Sequence, residues 1–230
     1  MKNKAMALIG GVVIIGVMGV AQFLSTRPAT SPATSTTAST TEQNGSTQTT
    51  AVAPAIGVDT TPKYPSTLPQ AYGDTITSWN FQSAYTNNPE LVAKTQAEIK
   101  RLSDLLSTAT SSAMILSVGI ANQYDLLGDG KKEYEYLDRA IRGNPENGLP
   151  WHNLGVLMER LGAFKTARVA YEESTFVQPE LKFYHYAYIE FLTSRTKDDT
   201  AHIEKAFAFA EKNIGTTPYL IELRTEWQKP

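Results

Sequence analysis

Residues 151–180 read WHNLGVLMERLGAFKTARVAYEESTFVQPE, in which bulky and small side chains recur at fixed spacings: Trp151, Leu154, Gly155, Met158, Ala167, Tyr171, Ser174 and Pro179. A degraded copy lies 34 residues earlier, because 127–130 (LGDG) match 161–164 (LGAF), and 144–146 (NPE) match 178–180 (QPE). Apolar residues three and four positions apart predict amphipathic helices, and the glycines between them predict a short turn. The stretch therefore predicts a repeated pair of short helices.

A third unit follows these two. It runs from about His185 to Pro218 and is five residues longer than its predecessor, since Pro179 and Pro218 are 39 residues apart instead of 34. The extra residues fall in the polar segment 193–200 (TSRTKDDT), which predicts a longer turn between the two helices. A final helix is predicted after Thr217, with one apolar stripe and a polar opposite side: Tyr219, Leu220, Leu223 and Trp227 form the stripe.

Residues 112–230 resemble the tetratricopeptide repeat family, whose repeats have a 34-residue period and two helices each. The layout of the whole chain is similar to small membrane-anchored repeat proteins of bacteria. The resemblance implies an all-α helix-turn-helix solenoid that binds a protein or peptide partner and has no enzymatic activity. In this family the first helix of each repeat lines a concave groove, which implies these partner-binding residues: Asn122, Asp125, His152, Val156, Glu159, Phe183, Tyr186 and Glu190.

The predicted groove is aromatic and weakly acidic. Asn122 and Asn153 match the two asparagines with which chaperone-binding members of the family hold a carboxylate, but the basic members of that clamp are missing, so we exclude it. Rings beside carboxylates favour a peptide with apolar and basic residues. In the ring-rich run 183–191 we expect packing roles for some members (Tyr184, Tyr188 and Phe191), while His152 is expected to be a solvated groove residue.

The N-terminal residues predict a membrane anchor. Residues 5–24 (AMALIGGVVIIGVMGVAQFL) contain no charge, and twenty helical residues rise about 30 Å, the thickness of the hydrocarbon core. Lys2 and Lys4 precede the run, so residues 1–4 are predicted in the cytoplasm and the remainder across the membrane. The alternative is a signal peptide cleaved after Ala21.

Two further segments connect the anchor to the repeats. Residues 25–62 are rich in Ser, Thr, Pro and Ala, which predicts a disordered linker that could extend on the order of 130 Å. Residues 63–111 are predicted to dock on the first repeat through aromatic side chains and one amphipathic helix over 89–107. The alternative for this helix is the second helix of a degenerate repeat. Asn88 before Pro89 is a typical helix start.

The remaining composition limits the function. The chain has no cysteine, so disulfides and thiolate metal sites are excluded, and its net charge of −2 does not predict nucleic-acid binding. The three histidines lie in no metal-ligand pattern, and we expect neither a cofactor nor catalysis. We therefore expect a membrane-anchored extracytoplasmic scaffold of the bacterial cell envelope. The alternatives are a released carrier or assembly chaperone and a self-associating spacer.

Overall fold

The computed structural model describes residues 73–229, all of them within the unit Val58–Pro230, and this part of the chain is helical. Eight α-helices lie within that range: α1 Pro89–Thr108, α2 Ala113–Leu127, α3 Gly130–Gly143, α4 Gly148–Arg160, α5 Phe164–Val177, α6 Lys182–Arg195, α7 Thr200–Ile214 and α8 Pro218–Trp227. Its β contacts amount to one isolated antiparallel bridge between Asn80 and Asp129. The predicted all-α class is confirmed for these residues.

The predicted helix starts are explained by their caps. The side chain of Asn88 accepts a hydrogen bond from the Leu91 amide at 3.1 Å, and Pro89 occupies the first helical position of α1. Thr217 caps α8 in the same way, with its Oγ1 3.2 Å from the Leu220 nitrogen. The predicted turn at 193–200 is the longest between paired helices, although α6 continues to Arg195 and leaves 196–199 as the connection.

From α1 to α7, each helix packs against the next one along the chain, whereas α8 packs on α6. The helices α4 and α5 approach each other closely, because Gly155 leaves room for the ring of Tyr171. A Cβ atom on Gly155 would lie 2.8 Å from that ring, well inside van der Waals contact. The second and third units each contain the same kind of contact, between a ring nitrogen and a proline carbonyl. The Trp151 indole donates to the Pro145 carbonyl at 2.9 Å, and the buried His185 contacts the Pro179 carbonyl at 2.7 Å, 34 residues further on.

A segment outside the eight helices, residues 73–84, crosses the turn between α2 and α3 and the turn between α4 and α5. We call this segment the strap. The Phe81 amide donates to the Gly128 carbonyl, and the Gly130 amide donates to the Trp79 carbonyl, at 3.1 and 2.9 Å. Gly128 has φ +77°, and a Cβ there would lie 2.3 Å from the Phe81 oxygen. The glycines of the 127–130 turn therefore serve both the turn and the approach of the strap.

The strap also caps α5. Asp74 accepts hydrogen bonds at this helix start from the Thr166 amide at 2.6 Å and from the Thr166 hydroxyl at 2.7 Å. Ala163, which precedes α5 in the sequence, has no side-chain oxygen to fill this role. Trp79 and Phe81 pack against the main core, as predicted for the aromatic residues of this segment. The strap thus joins two helix pairs at their turns.

Several sequence predictions lie outside the described residues. They are the anchor at 5–24, the linker at 25–62, and the part of the docking segment that precedes residue 73. None of the helices in residues 73–229 combines the length and apolar character needed to cross a membrane.

Candidate functional site

The first helices of the three helix pairs are α2, α4 and α6. Each contacts the next through side chains on one side, and α6 contacts α8 in the same way. We call this side of the four helices the first-helix face. Between α2 and α4, the Asn153 amide donates to Asn122 Oδ1 at 3.1 Å, and Arg160 forms an ion pair with Asp125. Two predicted groove residues, Asn122 and Asp125, therefore lie on this face, and their polar groups are already bonded to α4.

Glu159 connects three helices on the first-helix face. Its Oε1 accepts from Arg195 Nε of α6 at 2.8 Å, and its Oε2 accepts from the Tyr171 hydroxyl of α5 at 3.0 Å. Burial, then the charge and hydrogen bond of Glu159, raises the pKa of Tyr171 far above its usual value, so that this phenol remains a hydrogen-bond donor. Both oxygens of the Glu159 carboxylate are therefore bonded within the helical stack.

Tyr186 and Glu190 connect α6 to α8. The Tyr186 hydroxyl donates to Thr217 Oγ1 at 2.9 Å, and its ring meets the Tyr219 ring edge-on at a centroid distance of 5.0 Å. The Tyr219 hydroxyl donates to Glu190. These two predicted groove residues therefore also hold the C-terminal helix in place.

His152 is not the solvated groove residue that the sequence predicts. Its side chain is only 8% exposed, within a cluster of three rings: Phe183 at 4.6 Å, Tyr171 at 5.6 Å and Tyr184 at 5.7 Å between centroids. Burial lowers the pKa of His152 to about 4, so the ring is neutral at pH 7. The difference arises because the rings of α5 and α6 cover a position that the repeat pattern alone leaves open.

Val156 and Phe183 are the apolar members of the predicted set. Val156 is half-buried and packs on the core, whereas Phe183 is 53% exposed although one side of its ring rests on His152. The packing roles predicted for its neighbours Tyr184, Tyr188 and Phe191 are confirmed by their burial. Phe183 is therefore the most accessible apolar group among the predicted groove residues.

Glu133 of α3 is a buried carboxyl group that the sequence analysis did not single out. It is 5% exposed, and its Oε2 has no hydrogen-bond partner among residues 73–229. Burial, followed by the charge of Asp125, raises its pKa to about 9, and Arg160 acts in the opposite direction. The sequence did contain a sign of its burial. Glu133 lies four residues before Leu137, so the two side chains lie on the same inner side of α3.

Two further residues of the first-helix face, Tyr219 and Glu222, come from α8. The sequence analysis placed Tyr219 in the apolar stripe of this helix, but only Leu220 of that stripe is fully buried and Tyr219 is 38% exposed. Glu222 lies one helical turn after Tyr219 and is exposed. Their helix follows the last repeat unit, so the repeat pattern does not assign them to the groove.

Residues 73–229 contain no group of three or more His, Asp or Glu side chains that could hold a metal ion. No family model matches the chain, and the comparison with curated proteins gave no match either.

Proposed function

We propose that this chain is a protein-interaction module of the tetratricopeptide repeat type, which binds a partner protein or peptide on its first-helix face. In the cell, residues 5–24 anchor it in a membrane and the linker carries the repeats away from the extracytoplasmic surface. The partner is a protein of the cell envelope, and the module needs no cofactor.

One observation carries this proposal: apolar side chains recur along the first-helix face at the repeat period. Ile115 of α2, Leu149 of α4 and Phe183 of α6 are 34 residues apart. Each lies seven residues before another residue of the face, hence two helical turns away on the same side (Asn122, Val156 and Glu190). Ile115 and Phe183 are exposed and Leu149 is half-buried. A row of accessible apolar groups beside bonded polar groups is typical of interaction surfaces.

Phe183 is the best probe for this function. Its side chain is exposed and lies outside the main core cluster, so truncation to alanine removes contact area from the face at the loss of the ring contact with His152. Tyr186 and Glu190 are poorer probes, because both hold α8 and their loss would disturb the fold. Leu105→Ala is a matched control, since this leucine is similarly exposed, at 46%, but lies on α1.

The experiment is co-purification from intact membranes with wild type, Phe183→Ala and Leu105→Ala. We expect a partner that is retained by wild type and by Leu105→Ala and is lost with Phe183→Ala. Identical partners for all three proteins would contradict binding on the first-helix face. Recovery of only further copies of this chain would favour the self-associating spacer. The intact mass of the purified chain decides between the anchor and cleavage after Ala21, which would favour the released carrier.

A further inference from the structure

The part of the first-helix face between α6 and α8 has an unbalanced charge. Asp125 and Glu159 are each paired with an arginine. Among the described residues, neither Glu190 nor Glu222 forms an ion pair, and the Glu190 carboxylate accepts its one side-chain hydrogen bond from the neutral Tyr219 hydroxyl. Two exposed carboxylates on adjacent helices are thus left without a cation.

Two aromatic rings adjoin these carboxylates, because the Tyr219 hydroxyl bonds to Glu190 and Glu222 follows Tyr219 by about one turn of α8. Tyr186 and Tyr219 are in edge-to-face contact, and Tyr219 is more than a third exposed. The hydrogen bond to Glu190 is the largest of several causes that raise the pKa of Tyr219 to about 12; the charge of Glu222 and the Tyr186 ring contribute as well. Both carboxylates therefore act on the same phenol, which means that their negative potentials overlap at its ring.

The geometry points to a subsite for a basic side chain of the partner, formed by Glu190 and Glu222 with the rings of Tyr186 and Tyr219. This inference rests on the proposed function and specifies the partner as a peptide segment that carries arginine or lysine. Unpaired carboxylates supply the charge complement, and an aromatic ring attracts a cation to its face.

The chain already uses this kind of contact internally. The guanidinium of Arg160 lies 4.5 Å from the centre of the Phe81 ring, and that of Arg224 lies 4.2 Å from the centre of the Phe207 ring. Each of these arginines also pairs with a carboxylate, Asp125 for Arg160 and Glu204 for Arg224. Between α6 and α8, the rings and carboxylates are present, and the partner would supply the guanidinium. Arginine suits this arrangement better than lysine because it stacks and forms paired hydrogen bonds.

Phe183 gives the subsite an apolar neighbour. It precedes Glu190 by seven residues on α6, which corresponds to about 10 Å along the helix axis. An extended peptide covers about 10 Å in three residues. The partner segment is therefore expected to carry an apolar residue about three positions from its basic residue.

The test begins with a phage-displayed library of random 12-residue peptides, selected on the full chain in lipid nanodiscs. We expect wild type to enrich peptides with arginine or lysine near an apolar residue. The double variant Glu190→Gln, Glu222→Gln should lose this enrichment, while the amide oxygen at position 190 can still accept the bond from Tyr219. The matched control, Glu90→Gln with Glu98→Gln on α1, changes the net charge equally and should enrich the same peptides as wild type.

One enriched peptide is then measured by fluorescence anisotropy beside a copy with citrulline in place of arginine. We expect the affinity to fall at least about five-fold with citrulline or with the double variant, and the salt dependence to disappear in both cases. Enriched peptides that need Phe183 but lack basic residues would overturn the subsite and leave the proposed function intact. Failure to enrich any peptide that depends on Phe183 would count against both.

Discussion

At the scale of single residues, Glu133 is expected to lower the stability of the folded chain at neutral and alkaline pH. Its carboxyl group is buried beside Asp125 and Arg160, and one of its oxygens has no partner within the described residues. Because the pKa rises from 4.5 to about 9 on folding, the folded state binds a proton that the unfolded state releases. The favourable contribution of this bound proton to the free energy of unfolding is complete below pH 4.5 and is lost as the pH rises towards 9.

The substitution Glu133→Gln tests this effect. Glutamine has the same shape and no ionisation, so the variant should unfold at a similar temperature to wild type near pH 5. At pH 8 it should be more stable by about 4 kcal/mol, because each pH unit in this window changes the free energy of unfolding by about 1.4 kcal/mol, and this corresponds to roughly 8–16 °C in Tm. Thermal unfolding of the full-length chain across this pH range measures the difference. Glu135→Gln, on the exposed side of the same helix, is the control; a pH-independent difference for Glu133→Gln would contradict the assignment.

Gly155 is the second residue whose role the contacts define. In Gly155→Ala the new methyl group meets the Tyr171 ring at 2.8 Å, so we expect a loss of about 1–3 kcal/mol in the free energy of unfolding. Gly119→Ala is the matched control in the middle of α2, where the methyl group meets Leu102 at an ordinary 3.4 Å. It should stabilise the protein by about 0.5–1 kcal/mol. Urea unfolding of both variants measures the pair, and equal effects would show that the α4–α5 contact is not tight.

The sequence revealed the role of Gly155 but not that of His152. A small residue followed by a bulky one at repeat spacing predicts a close crossing, and the Tyr171 ring occupies that space. His152 occupies a groove position in the pattern, yet three rings from α5 and α6 surround it. The repeat pattern specifies which side of a helix a residue is on. It does not specify how far large neighbours extend over it.

At the scale of elements, the strap is the feature that the sequence did not predict. Its aromatic residues were expected to pack on the helices, and they do. The strap acts mainly through backbone hydrogen bonds and through Asp74, which lies more than 90 residues before the Thr166 nitrogen that it caps. Such contacts have no periodic signal. The helices themselves were predictable, because apolar spacing lies within each helix's own residues and several starts, such as those of α1 and α8, have a local cap.

The cap on α5 gives a direct test of the strap. Asp74→Ala removes the acceptor for the first turn of α5 and should lower the free energy of unfolding by about 1 kcal/mol. Hydrogen exchange at the amides of residues 165 and 166 should accelerate at the same time. Asp104→Ala, in an exposed ion pair on α1, is expected to change stability by less than about 0.5 kcal/mol. Unchanged exchange at residues 165 and 166 would show that the strap does not secure α5.

At the scale of the whole molecule, the polar groups of the first-helix face follow a gradient along the stack. Between α2 and α6, the carboxylates that join neighbouring first helices are each paired with an arginine. Between α6 and α8 the contacts come from tyrosine hydroxyls, and the carboxylates there lack cations. The repeat pattern places residues such as Asn122, Glu159 and Tyr186 on first helices, but which charges are paired depends on contacts between repeats.

The central claim is that partners bind on the first-helix face, and site-specific photo-cross-linking in intact membranes tests it most directly. A benzophenone amino acid replaces Phe183 or Ile115 on this face, and in separate variants Arg139 of α3 or Ala208 of α7, both exposed on second helices. We predict that positions 183 and 115 give adducts with another protein, and that positions 139 and 208 give none. Adducts confined to positions 139 and 208, or equal at all four, would contradict the account.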